Sequence, residues 1–192
     1  MELWLDLAST YSYLAAFRVP AMAGGSLVTW RPFTLGPIFA AQGWTTSPFN
    51  LQAAKGAYMW RDMERSAKAL HVPFAKPSVF PRNSVPAMKI AVLGCERGWG
   101  PAFCKAMLRA NFGDDREIGE ASVIDELLGE LGLDTAGVRA ESESPAWMPR
   151  LRAQTEEAAR RGIFGAPTFV VGDELFWGND RLEDAIAWAA SA

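Results

Sequence analysis

Leu3-Trp4-Leu5-Asp6-Leu7-Ala8-Ser9-Thr10-Tyr11-Ser12-Tyr13-Leu14-Ala15 is the stretch that decides the fold. Leu3 to Leu7 is short and mostly apolar, the pattern of a buried strand. Ser9 and Thr10 are helix-capping residue types, and Tyr13, Leu14, Phe17 and Val19 follow until Pro20 limits the helix. A strand therefore runs straight into a helix whose first turn carries two serines, Ser9 and Ser12, at i and i+3.

Moving outward, Gly24-Gly25 reads as a turn and Leu27-Val28-Thr29-Trp30 as a second strand. The far end returns to strands: Thr168-Phe169-Val170-Val171, a turn at Gly172-Asp173, then Glu174 to Trp177, a hairpin. Asn179 or Asp180 is placed to cap a last helix, Leu182 to Ala190. Residues 36–50 are punctuated by Gly36-Pro37, Gly43, Pro48 and Asn50, a loop or short helical turns. Between these ends the spacing is helical. One run uses Tyr58, Met59, Met63, Ala67 and Leu70; others centre on Met88–Cys95, Phe103–Leu108, Val123–Leu131 and Trp147–Arg161, the last closed by Gly162. The order is βαβ, a helical block, then αββα. That order predicts an α/β protein: a thioredoxin fold, residues 1–38 and 150–192, interrupted by an all-helical insertion domain, 39–149.

Bulk properties remove several function classes. In 192 residues, 49% are hydrophobic and 21% charged, which excludes a disordered chain. A net charge of −3 gives no reason to expect nucleic acid or an anionic membrane as partner. No basic segment followed by an apolar run opens the chain, so the expectation is a soluble cytoplasmic protein. Cys95 and Cys104 read as core thiols in helical sequence, and His71 is the single histidine. Neither a Ser-His-Asp triad nor a metal site of several histidines or cysteines is expected.

Three constellations are candidates for chemistry. Ser9-Thr10-Tyr11-Ser12 occupies the place where a redox thioredoxin carries Cys-x-x-Cys, at a helix N-terminus that favours a thiolate. With serine at both positions no disulfide forms there. Ser9 is either a plain N-cap or, with the unpaired N–H groups of the first turn, a stabiliser of a thiolate brought by a ligand. Gly162-Ile163-Phe164-Gly165-Ala166-Pro167-Thr168 puts a proline at a strand start, either an edge turn or a cis bond presenting Ala166 to an extended peptide. Trp177-Gly178-Asn179-Asp180-Arg181 opens the final helix and suits either capping alone or an α-amino acid end, its carboxylate on the helix and its amine on Asp180. Together the three match the thiol, central peptide and γ-glutamyl end of glutathione.

These same residues resemble a known family. Leu5-Asp6-Leu7-Ala8-Ser9-Thr10-Tyr11-Ser12-Tyr13-Leu14-Ala15 is similar to its F-D-F-x-S-P-Y-S-Y-L-A block. Lys55 to Asp62, Phe80-Pro81-Arg82-Asn83, Gly162 to Pro167 and Trp177 to Leu182 resemble its other blocks. The family is that of the 2-hydroxychromene-2-carboxylate isomerases, relatives of kappa-class glutathione transferases and DsbA-like proteins. The resemblance implies glutathione as cofactor, with Ser9 beside its sulfur as the catalytic residue. It also implies Ala166 and Pro167 at the cysteinyl part, and Trp177, Gly178, Asn179 and Asp180 at the γ-glutamyl end. A small aromatic carboxylate would be the partner substrate, contacted from Thr45, Asn50, Arg82, Asn83 and Ser84, in a homodimeric enzyme of aromatic catabolism. Thr10 stands where the family has proline, Thr45 where it has a sulfur-facing asparagine, and Ser84 where an aromatic contacts substrate. Asn50 matches. Kappa-type transfer, or glutathione or peptide binding without catalysis, are the alternative activities.

Overall fold

The structure is a computed structural model that describes residues 1–22 and 28–191. The turn expected at Gly24-Gly25 and the strand residue expected at Leu27 lie outside the described residues. Four strands form one mixed sheet in the order β2-β1-β3-β4. They are β1 (Glu2–Leu5), β2 (Thr29–Pro32), β3 (Thr168–Val171) and β4 (Glu174–Trp177). The first two strands are parallel, with Trp4 opposite Arg31, while β3 runs antiparallel to both β1 and β4. The two ends of the chain thus build one sheet, as the thioredoxin-fold order requires.

Strand alternation divides the core. Leu3 and Leu5 face a large apolar cluster with Tyr13, Leu14, Met59, Met88, Phe103 and Phe169. Trp4 points to the other face, against Phe33, Ile38, Ala158, Ile163 and Val170. Each fully buried Leu or Trp of β1 contributes roughly 2–3 kcal/mol relative to exposure, so these few residues fix the register. The large cluster also contains Leu127 and Leu128, so the sheet and the inserted helices share one continuous core.

The helices are α1 (Thr10–Met22), α2 (Leu35–Ala41), α3 (Pro48–Leu51), α4 (Ala53–Ala69), α5 (Val85–Arg97), α6 (Gly100–Phe112), α7 (Ala121–Glu130), α8 (Thr135–Glu143), α9 (Trp147–Arg160) and α10 (Leu182–Ser191). The expected insertion boundaries at 38/39 and 149/150 fall inside α2 and α9. Pro20 does not end α1, which continues to Met22; Pro20 is exposed, so its ring meets no core packing and only one backbone bond is forgone. Tyr58, expected on the buried stripe of α4, is 63% exposed, because that stripe is Gly56, Met59, Met63 and Ala67. Helix α8 adds to the expected helices: it buries only Ser142 and carries no apolar stripe, and Asp134 caps it by accepting from the Gly137 N–H at 3.1 Å. A 3-10 turn, Asn179–Arg181, precedes α10 and begins after Gly178, with no side-chain cap bond from Asn179 or Asp180. No helix among the described residues is long and apolar enough to cross a membrane. Cys104 is buried and Cys95 half-buried, both within the helical core.

Candidate active site

Helix α1 starts at the end of β1, and its N-terminus is held by Ser9. The Ser12 N–H donates to Ser9 Oγ at 3.3 Å, an N-cap bond, and Ser9 Oγ in turn donates to the Ala166 carbonyl at 2.8 Å. Both Ser9 and Ala166 are buried, and the Ala166–Pro167 bond is cis. Position and partner are thereby fixed together. The N-cap and thiolate-site readings of Ser9 are compatible, because the hydroxyl that caps the helix also lies at the base of a cavity. No acidic side chain occupies the first turn of α1, so no carboxylate within that turn offsets the partial positive charge of its end.

That cavity has a volume of about 850 Å³ and is walled by α2, the turn that follows it, the 80–85 loop, α9 and the Phe164–Ala166 segment. The size falls in the upper part of the range for ligand clefts, roughly 300–1,000 Å³. Ser9, Ala166, Trp177, Thr45, Arg82, Asn83 and Ser84 line it together. Pro167, Gly178, Asn179, Asp180 and Asn50 are not in its wall. The turn beyond Trp177 is nevertheless anchored to α1. Arg18 donates to both the backbone and side-chain oxygens of Asn179 and pairs with Glu183, and the Gly178 N–H donates to Pro167 O at 2.9 Å. Gly178 has φ +117°, where only glycine sits without strain. Trp177 packs on Phe164 with ring centroids 4.8 Å apart, and a Cβ on Gly165 would collide with its indole. Asn50 holds the loop before the cis Phe80–Pro81 bond, its amide donating to the Phe80 carbonyl at 3.0 Å.

Arg82 is buried and committed to the protein. Its Nη1 donates to Asn111 O and Oδ1 at 3.1 and 3.0 Å, while Nη2 faces Ser78 Oγ, Asp115 O and the Asp115 carboxylate. Nε lies 3.3 Å from Glu117 Oε2, near enough for an ion pair but off-line for a hydrogen bond. Both Nη groups are thus committed to protein oxygens, and Nε has only the ion pair. Asn111 passes the connection on, donating to Leu7 O at 2.9 Å just ahead of Ser9. The guanidinium expected to meet a substrate carboxylate is in this arrangement a brace under the Ser9 loop. Asn83 Oδ1 accepts from the Val85 N–H at 3.2 Å, leaving its amide N–H groups unassigned at the rim.

Asp6 belongs to the site, although the sequence suggests no role for it beyond its match to the aspartate of the F-D-F block. Its carboxylate is 4% exposed and accepts from Ala8 N–H at 2.9 Å, Leu35 N–H at 2.8 Å and Ser84 Oγ at 3.0 Å. One side chain therefore ties the β1–α1 loop, the start of α2 and the start of α5 around the cavity floor. The signal available in the sequence is a lone carboxylate in an otherwise apolar run, Leu3 to Leu7. Burial pushes the Asp6 carboxyl up from its ordinary 3.8, and the three donors pull against it. A raised value in the folded state means the native protein binds more protons than the unfolded chain above 3.8. The Asp6 contribution to stability is then full below that value and declines as pH rises through the raised one. Asp6→Asn removes the titration and keeps most of the bonds. Melts of the two proteins through the acidic range should converge as pH rises, with wild type losing its advantage; parallel curves would contradict the buried carboxyl. Tyr11, also in the wall, donates to Asp62 Oδ2 at 3.0 Å, and burial with the charges of Asp62 and Asp180 raises its phenol.

A family model described as a DSBA-like thioredoxin domain matches residues 1–186. The 2-hydroxychromene-2-carboxylate isomerase of Sphingobium xenophagum is 28% identical over 186 residues, covering 95% of this chain and 94% of that one. The protein of the same name from Pseudomonas putida is 29% identical over 188 residues, covering 95% and 90%. A solved structure of a 2-hydroxychromene-2-carboxylate isomerase superposes with a TM-score of 0.87 at 26% identity, covering 99% of this chain and 94% of that one.

Proposed function

The chain belongs to the DSBA-like thioredoxin domain family, and from that premise we propose that it is a glutathione-dependent isomerase of the 2-hydroxychromene-2-carboxylate isomerase type. The observation that carries the proposal is the buried Ser9–Ala166 bond at the N-terminus of α1, on the floor of a large cavity, with serine at both positions of a redox pair. The relatives' names support an isomerase, and the residues present suit glutathione. Thr10 and Tyr11 offer first-turn N–H groups, Ala166 lies on the cavity floor, and Trp177 leads to the braced Gly178–Asp180 turn. Glutathione, when bound, supplies a thiolate nucleophile that adds reversibly to a conjugated carbon of an aromatic acid.

The chain's own part is orientation and charge stabilisation. The α1 terminus favours negative charge on a sulfur, and Ser9 has one proton to offer it. That proton is shared with the Ala166 carbonyl, so a swing of the hydroxyl trades one acceptor for the other. The apolar walls, including Leu35, Phe39, Phe49 and Phe164, strip water from the reacting groups and strengthen those dipoles. Thr45 stands on the cavity wall in place of the family's asparagine, and the alternative activity is kappa-type transfer, in which the adduct is released as product.

Two assays test the reading. Incubation with glutathione and 2-hydroxychromene-2-carboxylate should give isomerisation without net glutathione loss, whereas stoichiometric glutathione consumption with a chlorodinitrobenzene-type electrophile alone would point to transfer. Binding of glutathione with no turnover of either compound would overturn both and leave a binding module.

A further inference from the structure

The cavity wall holds a cation that nothing in the fold uses. Among the described residues every arginine except Arg152 pairs with a carboxylate, and most also donate hydrogen bonds to one. Arg152 is exposed on the stretch of α9 that lines the cavity, flanked there by Leu151 and Thr155. Thr155 Oγ1 accepts from the Thr34 N–H at 3.1 Å, which fixes this face of α9 against the start of α2. Glu156, one turn further on and in the same wall, forms no ion pair with it among the described residues, although i,i+4 spacing permits one. The other exposed cation of the wall, Lys55, has its ammonium 5.7 Å from the Phe49 ring centroid. Arg82 has both Nη groups bonded to protein oxygens and its Nε buried beside Glu117.

We infer that Arg152 is the residue that receives the carboxylate of the aromatic substrate, and so selects anionic acids for this cavity. The inference rests on the reading of the cavity as an isomerase site and gives that site its specificity determinant. A guanidinium fork matches a carboxylate with two parallel hydrogen bonds, and a low-polarity wall raises their worth. A neutral or cationic analogue would leave that fork unpaired, which is how it discriminates.

The test is equilibrium binding, independent of turnover. 2-Hydroxychromene-2-carboxylate is titrated calorimetrically into wild type and variants, alone and with S-methylglutathione, whose blocked sulfur cannot react. Arg152→Gln should weaken the acid about tenfold and leave S-methylglutathione affinity and melting temperature unchanged, with Arg152→Lys intermediate. Glu156→Gln, which removes a nearby negative charge, should leave binding of the acid unchanged or tighten it. Unaltered binding in Arg152→Gln, or a tenfold loss in Lys55→Gln instead, would overturn the inference while leaving the isomerase reading intact. Loss of binding in Arg152→Gln without any wild-type turnover would sink the isomerase reading and keep Arg152. No wild-type binding of the acid would end both.

Discussion

Ser9→Ala is expected to lower turnover about tenfold to a hundredfold while the protein stays folded. The Ser9 hydroxyl is at once an N-cap, a donor to the buried Ala166 carbonyl at 2.8 Å and a side-chain proton at the cavity end of α1. Alanine takes away all three. Loss of the cap and an unpaired carbonyl cost about 1–2 kcal/mol, a modest fall in melting temperature. Loss of the proton acts on chemistry: bound glutathione should show its thiolate absorbance only at higher pH than in wild type, with its affinity changed little. Ser9→Cys separates the effects. It keeps a group at the helix end but makes it a thiol whose pKa the helix lowers, so it should exchange with glutathione disulfide to a mixed disulfide, releasing one glutathione thiolate. An unchanged thiolate titration and unchanged rate in Ser9→Ala would leave Ser9 a cap and nothing more.

The features of this site that depend on local chemistry are legible in the amino-acid sequence. Ser9 after an apolar strand, a proline opening β3 and the Gly178 turn each announce themselves by residue type, and the fold puts each beside the sheet where the order of elements requires. What is not legible depends on which side chains meet. Asp6 and Ser84 are 78 residues apart, and nothing in either local sequence says that one closes on the other at 3.0 Å. Arg82 sits next to cavity residues in the chain and reads as a ligand contact; only the arrival of Asn111 and Asp115 from the end of α6 and the loop beyond shows where its donors go. Arg152 illustrates the reverse. On the polar side of an amphipathic helix it looks like any solvated charge, and its interest lies in the partners it lacks. Helix α8 is silent in the sequence for a simpler reason, since a nine-residue helix that buries a single serine has no apolar period to detect.

The arrangement around Arg82 makes a second large prediction, and one of opposite character to the first. Arg82→Met keeps most of the side-chain volume and removes every donor. Asp115 and Glu117 are more than a third exposed and can turn to water, so their loss of a partner is cheap. Asn111 cannot: it is 2% exposed, and both its carbonyl and its side-chain oxygen would be left without their arginine donor. The cost is about 2–4 kcal/mol, a fall in melting temperature on the order of 10 °C for a chain of this size. Because Asn111 also holds Leu7, the strain reaches the loop that carries Ser9, and turnover should drop through a lower kcat with the KM for the acid nearly unchanged. Asp115 supplies a second signature. The Ser78 N–H first and Arg82 second hold its carboxyl below the ordinary range, so in Arg82→Met it should titrate higher. A guanidinium that served the substrate directly would behave otherwise, with little change in melting temperature, a large rise in KM and no movement at Asp115. The two outcomes differ in stability, in kinetics and in the titration of Asp115, which is not in the cavity wall, so one variant decides whether this arginine braces the site or serves the substrate directly.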